Sequence, residues 1–201
     1  MRGGAVLAGM SGVSRRAFQT TVALGLCWLV QSRAEGQRRY APASLKAAMI
    51  QKIAAFVRWP DAPGKDATSA HFVLAVLGDV ELSSRLRFLY ESQQIGGRTV
   101  RVIDVTSVAS LPACEAVFIG ARFADALESL LRSLSKKPVL TLGATPGFAE
   151  RGVAVNLFVD GASRRLRFEV NRASMESTGL RASYQLLSFA RLVGDKPGGV
   201  P

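Results

Sequence analysis

Histidine and cysteine are almost missing from these 201 residues: His71 is the single histidine, and Cys27 and Cys114 are the only cysteines. One imidazole and two distant thiols offer no ligand spacing for a structural zinc site. A serine triad would have to use His71 as its base, and no Gly-x-Ser-x-Gly elbow occurs to hold its nucleophile. The phosphate-cradling signatures Gly-x-Gly-x-x-Gly and Gly-Lys-Ser/Thr are also lacking, so alternation of strands and helices alone does not argue for a nucleotide. Ser133-Leu134-Ser135-Lys136 fits a Ser-x-x-Lys pattern. It is expected at the C-terminal end of a helix, where no free N–H groups await an oxyanion. Neither a catalytic residue, nor a metal, nor a cofactor is expected, and binding remains.

A long apolar run is lacking too. Thr21 to Val30 is only about ten residues, half of the roughly 20 that cross a bilayer as a helix. Ser14-Arg15-Arg16-Ala17-Phe18 precedes it and Ser32-Arg33-Ala34 follows, the three-part layout of a secretory signal over residues 1–34. The arginine pair resembles a twin-arginine signal. Leu26 occupies the place where a small residue would precede a lipidated Cys27. The segment carries Arg2, Arg15, Arg16 and Arg33 and no acid, so its removal takes four charges from the net +11 and leaves +7. An exported basic protein meets an anionic membrane face or an acidic protein domain rather than nucleic acid. Cleavage after Ala34 also removes Cys27, and no intramolecular disulfide is then available. Cys114, just before the apolar run Ala116-Val117-Phe118-Ile119, is expected to be buried, with a redox role as the weaker alternative.

What is present is a globular composition, 48% hydrophobic with 20% charged residues, enough to bury one core. Residues 35–43, polar and Arg-rich, read as a linker to a domain over residues 44–194, and residues 195–201 as a flexible tail. Ser44 is expected to cap a helix whose apolar face is Leu45, Met49, Ile53, Phe56 and Val57, stopped at Pro60. Phe72–Leu77, Thr99–Val105, Ala116–Ile119 and Val139–Leu142 read as strands. Helices capped by Asp79 and marked by Phe123, Leu127, Leu130 and Leu134 lie between them. Val153–Val159 and Leu166–Val170 alternate around Asp160-Gly161-Ala162-Ser163, an antiparallel hairpin. A helical region from about Ala173 to Val193, bent at Gly179, closes the chain. The fold class is α/β: a compact single domain with a mostly parallel central sheet flanked by helices, plus a C-terminal antiparallel hairpin and closing helix.

In order along the chain, Ser44-Leu45-Lys46-Ala47-Ala48-Met49-Ile50, Phe56-Val57-Arg58-Trp59-Pro60, Val76-Leu77-Gly78-Asp79, Pro146-Gly147-Phe148-Ala149, Asn156-Leu157, Leu166-Arg167-Phe168-Glu169-Val170-Asn171, Gly179-Leu180 and Gln185-Leu186-Leu187-Ser188-Phe189-Ala190 resemble the signature of the YfiR family over about residues 44–193. The resemblance implies a periplasmic protein that binds the periplasmic sensor domain of an inner-membrane diguanylate cyclase of the YfiN type. Binding would hold the cyclase inactive, and release would raise cyclic di-GMP and favour biofilm formation. It also implies an outer-membrane or small-molecule regulator as a further partner. Well-known members carry disulfides and respond to redox state; this chain departs from them by keeping Cys114 alone. The alternative is a periplasmic small-molecule-binding protein or enzyme.

Partner or ligand contact is expected from Arg58, Trp59, Glu169, Asn171 and Arg181. Trp and Arg dominate binding hot spots, although a Trp that closes a helix onto the core is equally sound. Glu169 and Asn171 share one face of a strand with Arg165 and Arg167, and Arg181 follows the Gly179 bend. The plainer alternative makes Asn171 the cap of the next helix and the two arginines a solvated strand face.

Overall fold

Phe72, Leu74 and Val76 belong to one buried cluster and Ala75 and Leu77 to another, as side chains that alternate across a strand covered on both faces must. They form β2 (His71–Leu77), near the middle of an eight-stranded sheet. The computed structural model describes residues 41–60 and 71–194, all within one unit, Ala41–Pro201. The expected signal, most of the expected linker and the expected tail lie outside the described residues.

Helix α1 (Ala43–Ala55) and the two-residue strand β1 (Val57–Arg58) precede β2. Then come α2 (Val80–Tyr90), β3 (Gln94–Ile95), β4 (Arg98–Val105), β5 (Ala116–Ile119), α3 (Leu127–Leu134) and β6 (Leu140–Gly143). The hairpin β7 (Val155–Val159) and β8 (Leu166–Asn171) follows. Last are α4 (Arg172–Ser177), β9 (Arg181–Ala182), α5 (Tyr184–Phe189) and β10 (Arg191–Val193). The sheet order is β10-β8-β7-β6-β5-β2-β4-β3, and only β3–β4 and β7–β8 are antiparallel. Residues of α1, α2, α4 and α5 join the cluster on one face; α3, Phe148 and Val153 join the cluster on the other. The α/β class, the mostly parallel sheet and the C-terminal hairpin are as the sequence pattern predicts.

Four local expectations are corrected. Ser44 does not cap α1: Pro42 stands at the N-cap, and its carbonyl accepts from Leu45 and Lys46 N–H at 3.0 Å. The helix also stops at Ala55, because residues 57–58 pair with β9 instead of continuing the spiral. Its buried face is Ala43, Ala47, Ile50, Ile53 and Ala54, where small alanines admit close helix approach, while Leu45 and Phe56 of the expected face are exposed. Finally, the expected closing helix is broken into α4, β9, α5 and β10. Gly179 takes φ +78° after α4, a left-handed turn that favours glycine, and Ser183 Oγ caps α5 by accepting from Leu186 N–H at 3.1 Å.

Asp79 works as the sequence predicts and does more. One oxygen accepts from Leu82 N–H at 3.0 Å, capping α2, and the other takes Lys46 Nζ at 2.6 Å, joining α1 to α2. At the far end of α2, Tyr90 is buried and its hydroxyl meets no partner; burial pushes its phenol pKa up. Tyr90→Phe removes that orphan hydroxyl and is expected to be neutral or to add up to about 1 kcal/mol near neutral pH. Below about pH 10 the folded and unfolded phenols are both neutral. Above it the unfolded phenol ionises first, so the wild type loses stability as pH rises towards the raised native pKa. Urea melts on either side of pH ~10 should show a flatter alkaline limb in Tyr90→Phe.

Candidate functional site

Arg58 and Arg181 are placed face to face by the smallest sheet in the molecule. β1 and β9 are antiparallel, with Val57 opposite Ala182 and Arg58 opposite Arg181, and Ser183 N–H donates to Phe56 C=O at 2.9 Å beyond them. Both arginines are exposed, and neither makes an ion pair among the described residues. Like charges directly opposite across strands cost stability, so the pairing concentrates positive potential at the expense of the fold.

Trp59 follows Arg58 and turns inward. Its Nε1–H donates to Glu115 C=O at 3.1 Å, and its ring stands edge-on to Phe72, with centroids 5.1 Å apart and planes at 87°. It therefore closes onto the core and also lines an open groove of about 820 Å³ with Arg58, Arg181, Arg172 and Glu176. Buried Met175 and Leu180 lie beneath. Arg172 Nε donates to Glu176 Oε1 at 2.7 Å, so the Arg58–Arg181 pair is the part of the wall without a local counter-ion.

Glu169 and Asn171 are not in this groove. The second hairpin strand is solvated only at its start, where Arg165 and Arg167 are exposed; Glu169 and Asn171 are 2% and 7% exposed. The polar face expected along the whole strand is thus covered at its end by β10 and α4. Glu169 Oε2 accepts from Asn156 Nδ2 at 3.1 Å, and Arg191 of β10 donates to Oε1. The Arg191 guanidinium lies 4.3 Å from the Phe158 ring centroid. Asn171 Oδ1 accepts from Ser174 N–H at 2.9 Å, capping α4, and its Nδ2 donates to Ala149 C=O at 2.8 Å. Both side chains are thus hydrogen-bonded within the domain, and Asn171 caps α4 as the plainer alternative has it.

Sequence reasoning missed Arg191 and the pair behind Trp59. Glu115, 8% exposed, accepts from Val73 N–H at 2.8 Å and from Arg98 at 3.1 Å, while Arg98 lies 5.3 Å from the Phe72 centroid. The one available signal was a lone carboxylate at the head of a four-residue apolar run. Cys114 beside it is half-buried against the second cluster rather than fully covered. Ser133 is exposed and donates to Leu130 C=O at 2.7 Å. Among the described residues no group of three His, Cys, Asp or Glu could hold a metal ion.

The fold is a three-layer α/β domain with exposed cations facing an open groove. The chain belongs to the YfiR/HmsC-like family, whose model matches residues 43–191, a family of regulatory proteins. No curated protein matches the chain. Among solved structures, a conserved domain protein from Vibrio cholerae O1 biovar El Tor shares the fold, at 14% identity and a TM-score of 0.50 over 76% of this chain and 60% of that one. An ABC domain in complex with L-Trp from Streptococcus pneumonia aligns at 13% identity and a TM-score of 0.49 over the same shares. This chain thus spans about 60% of the length of those structures. Among the described residues no helix is long and apolar enough to cross a membrane.

Proposed function

We propose that this chain is an exported periplasmic regulator that binds the periplasmic sensor domain of an inner-membrane diguanylate cyclase and holds the enzyme inactive, lowering cyclic di-GMP and restraining biofilm formation. The family match over residues 43–191 carries this reading, because it takes in every element that builds the Arg58–Arg181 groove. The leader-like layout of residues 1–34 supports export, and two opposed, unneutralised guanidiniums support docking of an acidic surface. Deleting the gene is expected to raise cellular cyclic di-GMP and biofilm, with an exported copy restoring the low state; unchanged cyclic di-GMP removes the reading. Cys114→Ser is expected to leave regulation intact, because the half-buried thiol packs on apolar neighbours. Loss of control by a normally folded Cys114→Ser protein, read in the same cyclic di-GMP assay, would contradict this.

The groove itself favours a second reading, a periplasmic small-molecule-binding protein. Its volume of about 820 Å³ lies in the range of ligand sites, and the arginine pair suits an anionic group. Thermal shift with anionic metabolites, lost in Arg58→Ala, tests it.

A further inference from the structure

Around helices α1 and α5 the domain leaves several large apolar side chains uncovered. Leu45 and Phe56 are 46% and 40% exposed, and Phe189 on α5 is 76% exposed. Together α1, the start of β8 and α5 form an open groove of about 640 Å³, with Ile53, Phe168 and Leu186 as its buried floor and Phe56 and Phe189 at its edges. Lys52, Arg165 and Arg167 also line it, and no carboxylate does. Lys52 and Arg165 make no ion pair among the described residues, whereas Arg167 has Asp160 as an electrostatic neighbour. This is not the Arg58–Arg181 groove: α5 turns Leu187 to that one and Gln185, Leu186 and Phe189 to this one.

We propose that this second groove docks an amphipathic helix of a partner protein, whose apolar stripe fills the floor and whose flanking Asp and Glu residues meet Lys52, Arg165 and Arg167. Exposed aromatics beside a concave apolar floor are the anchors a helix uses when it lies in a groove at i, i+3, i+4 and i+7 spacing. The charges select the sign of the partner. A second copy around a two-fold axis would set the same three cations against themselves, in a chain already at net +11. The chain's own stretches 61–70 and 195–201 hold no Leu, Ile, Met or aromatic residue to fill the floor. A membrane surface would meet a ridge better than a concave trough. The surface goes beyond the regulatory reading above and does not depend on which partner that reading names.

The test uses the full chain and two labelled synthetic helical peptides that share one Leu/Phe stripe, one with a Glu polar face and one with a Lys polar face, followed by fluorescence anisotropy. The Glu peptide is expected to bind at least about tenfold more tightly than the Lys peptide. Phe189→Ala should weaken it by about tenfold or more, and Arg165→Glu with Arg167→Glu should transfer the preference to the Lys peptide. Arg85→Glu, an exposed cation on α2 that lines neither groove, should leave peptide binding unchanged, which separates this groove from general surface charge. These side chains are exposed, and urea melts of each variant check that folding is intact. Equal affinity for the two peptides, no binding of either, or wild-type affinity in Phe189→Ala would overturn the proposal. So would Phe189-dependent dimerisation in sedimentation, which points to a second copy, or Phe189-dependent retention on phosphatidylglycerol vesicles that the Glu peptide does not displace.

Discussion

Arg181→Glu is expected to raise cellular cyclic di-GMP as far as deletion of the gene does, and to do so in a protein slightly more stable than the wild type. The two halves of that result have one cause. Arg58 and Arg181 are direct cross-strand neighbours in the β1–β9 pair, and replacing one by an acid turns a repulsive pair into an attractive one, worth about 0.2–1 kcal/mol. The same replacement neutralises the cationic wall of the groove, and reversing a charge at a docking surface weakens binding by about a hundredfold or more when the partner's acid is left facing another. Cellular cyclic di-GMP and a thermal melt of the same variant check both halves. A low cyclic di-GMP level in the Arg181→Glu strain would take this pair out of partner recognition. A rise in cyclic di-GMP accompanied by a stability gain excludes misfolding as its cause.

Phe118→Ala is expected to cost about 3–5 kcal/mol, the largest single-residue effect on stability proposed for this molecule. The ring is 1% exposed on β5, in the cluster that joins the sheet to α1 and α2, and Lys46 Nζ lies 5.6 Å from its centroid. β5 pairs on both sides, with β2 and β6, so the surroundings collapse poorly into the space left. At roughly 2–4 °C per kcal/mol for a domain of this size, the melting temperature should fall by about 6–20 °C. Phe118→Leu should recover most of that, since it restores apolar volume. Equal melting of Phe118→Ala and wild type would mean that this face of the sheet is not the stability-determining layer.

The central strands were legible in the sequence because each is an apolar run long enough to show itself: Phe72–Leu77 became β2 with His71 added, and Ala116–Ile119 became β5 without change. β1, β9 and β10 were not, for they have two or three residues and exist only through pairing with distant partners. No period can appear in so short a segment. The same limit hid the site. Arg58 and Arg181 were each singled out, but their apposition is a fact of register across more than a hundred residues of chain. Glu169 looked like part of a solvated face because an alternating polar residue reads identically whether water or Arg191 covers it. Leu45 and Phe56 were correctly found as apolar and wrongly taken as core, whereas Met49 does pack against it. Helical spacing shows that a face is hydrophobic, and only the position of neighbouring α2 decides which face is covered first.

β10 has a consequence for how the chain must be made. It supplies both the hydrogen-bonding neighbour of β8 and, through Arg191, the counter-charge of a carboxylate that is otherwise 2% exposed. A product ending after Phe189 would carry an uncapped sheet margin and a lone interior anion, the combination that invites intermolecular strand addition. Residues through Val193 are therefore needed before β8 is covered and Glu169 is neutralised.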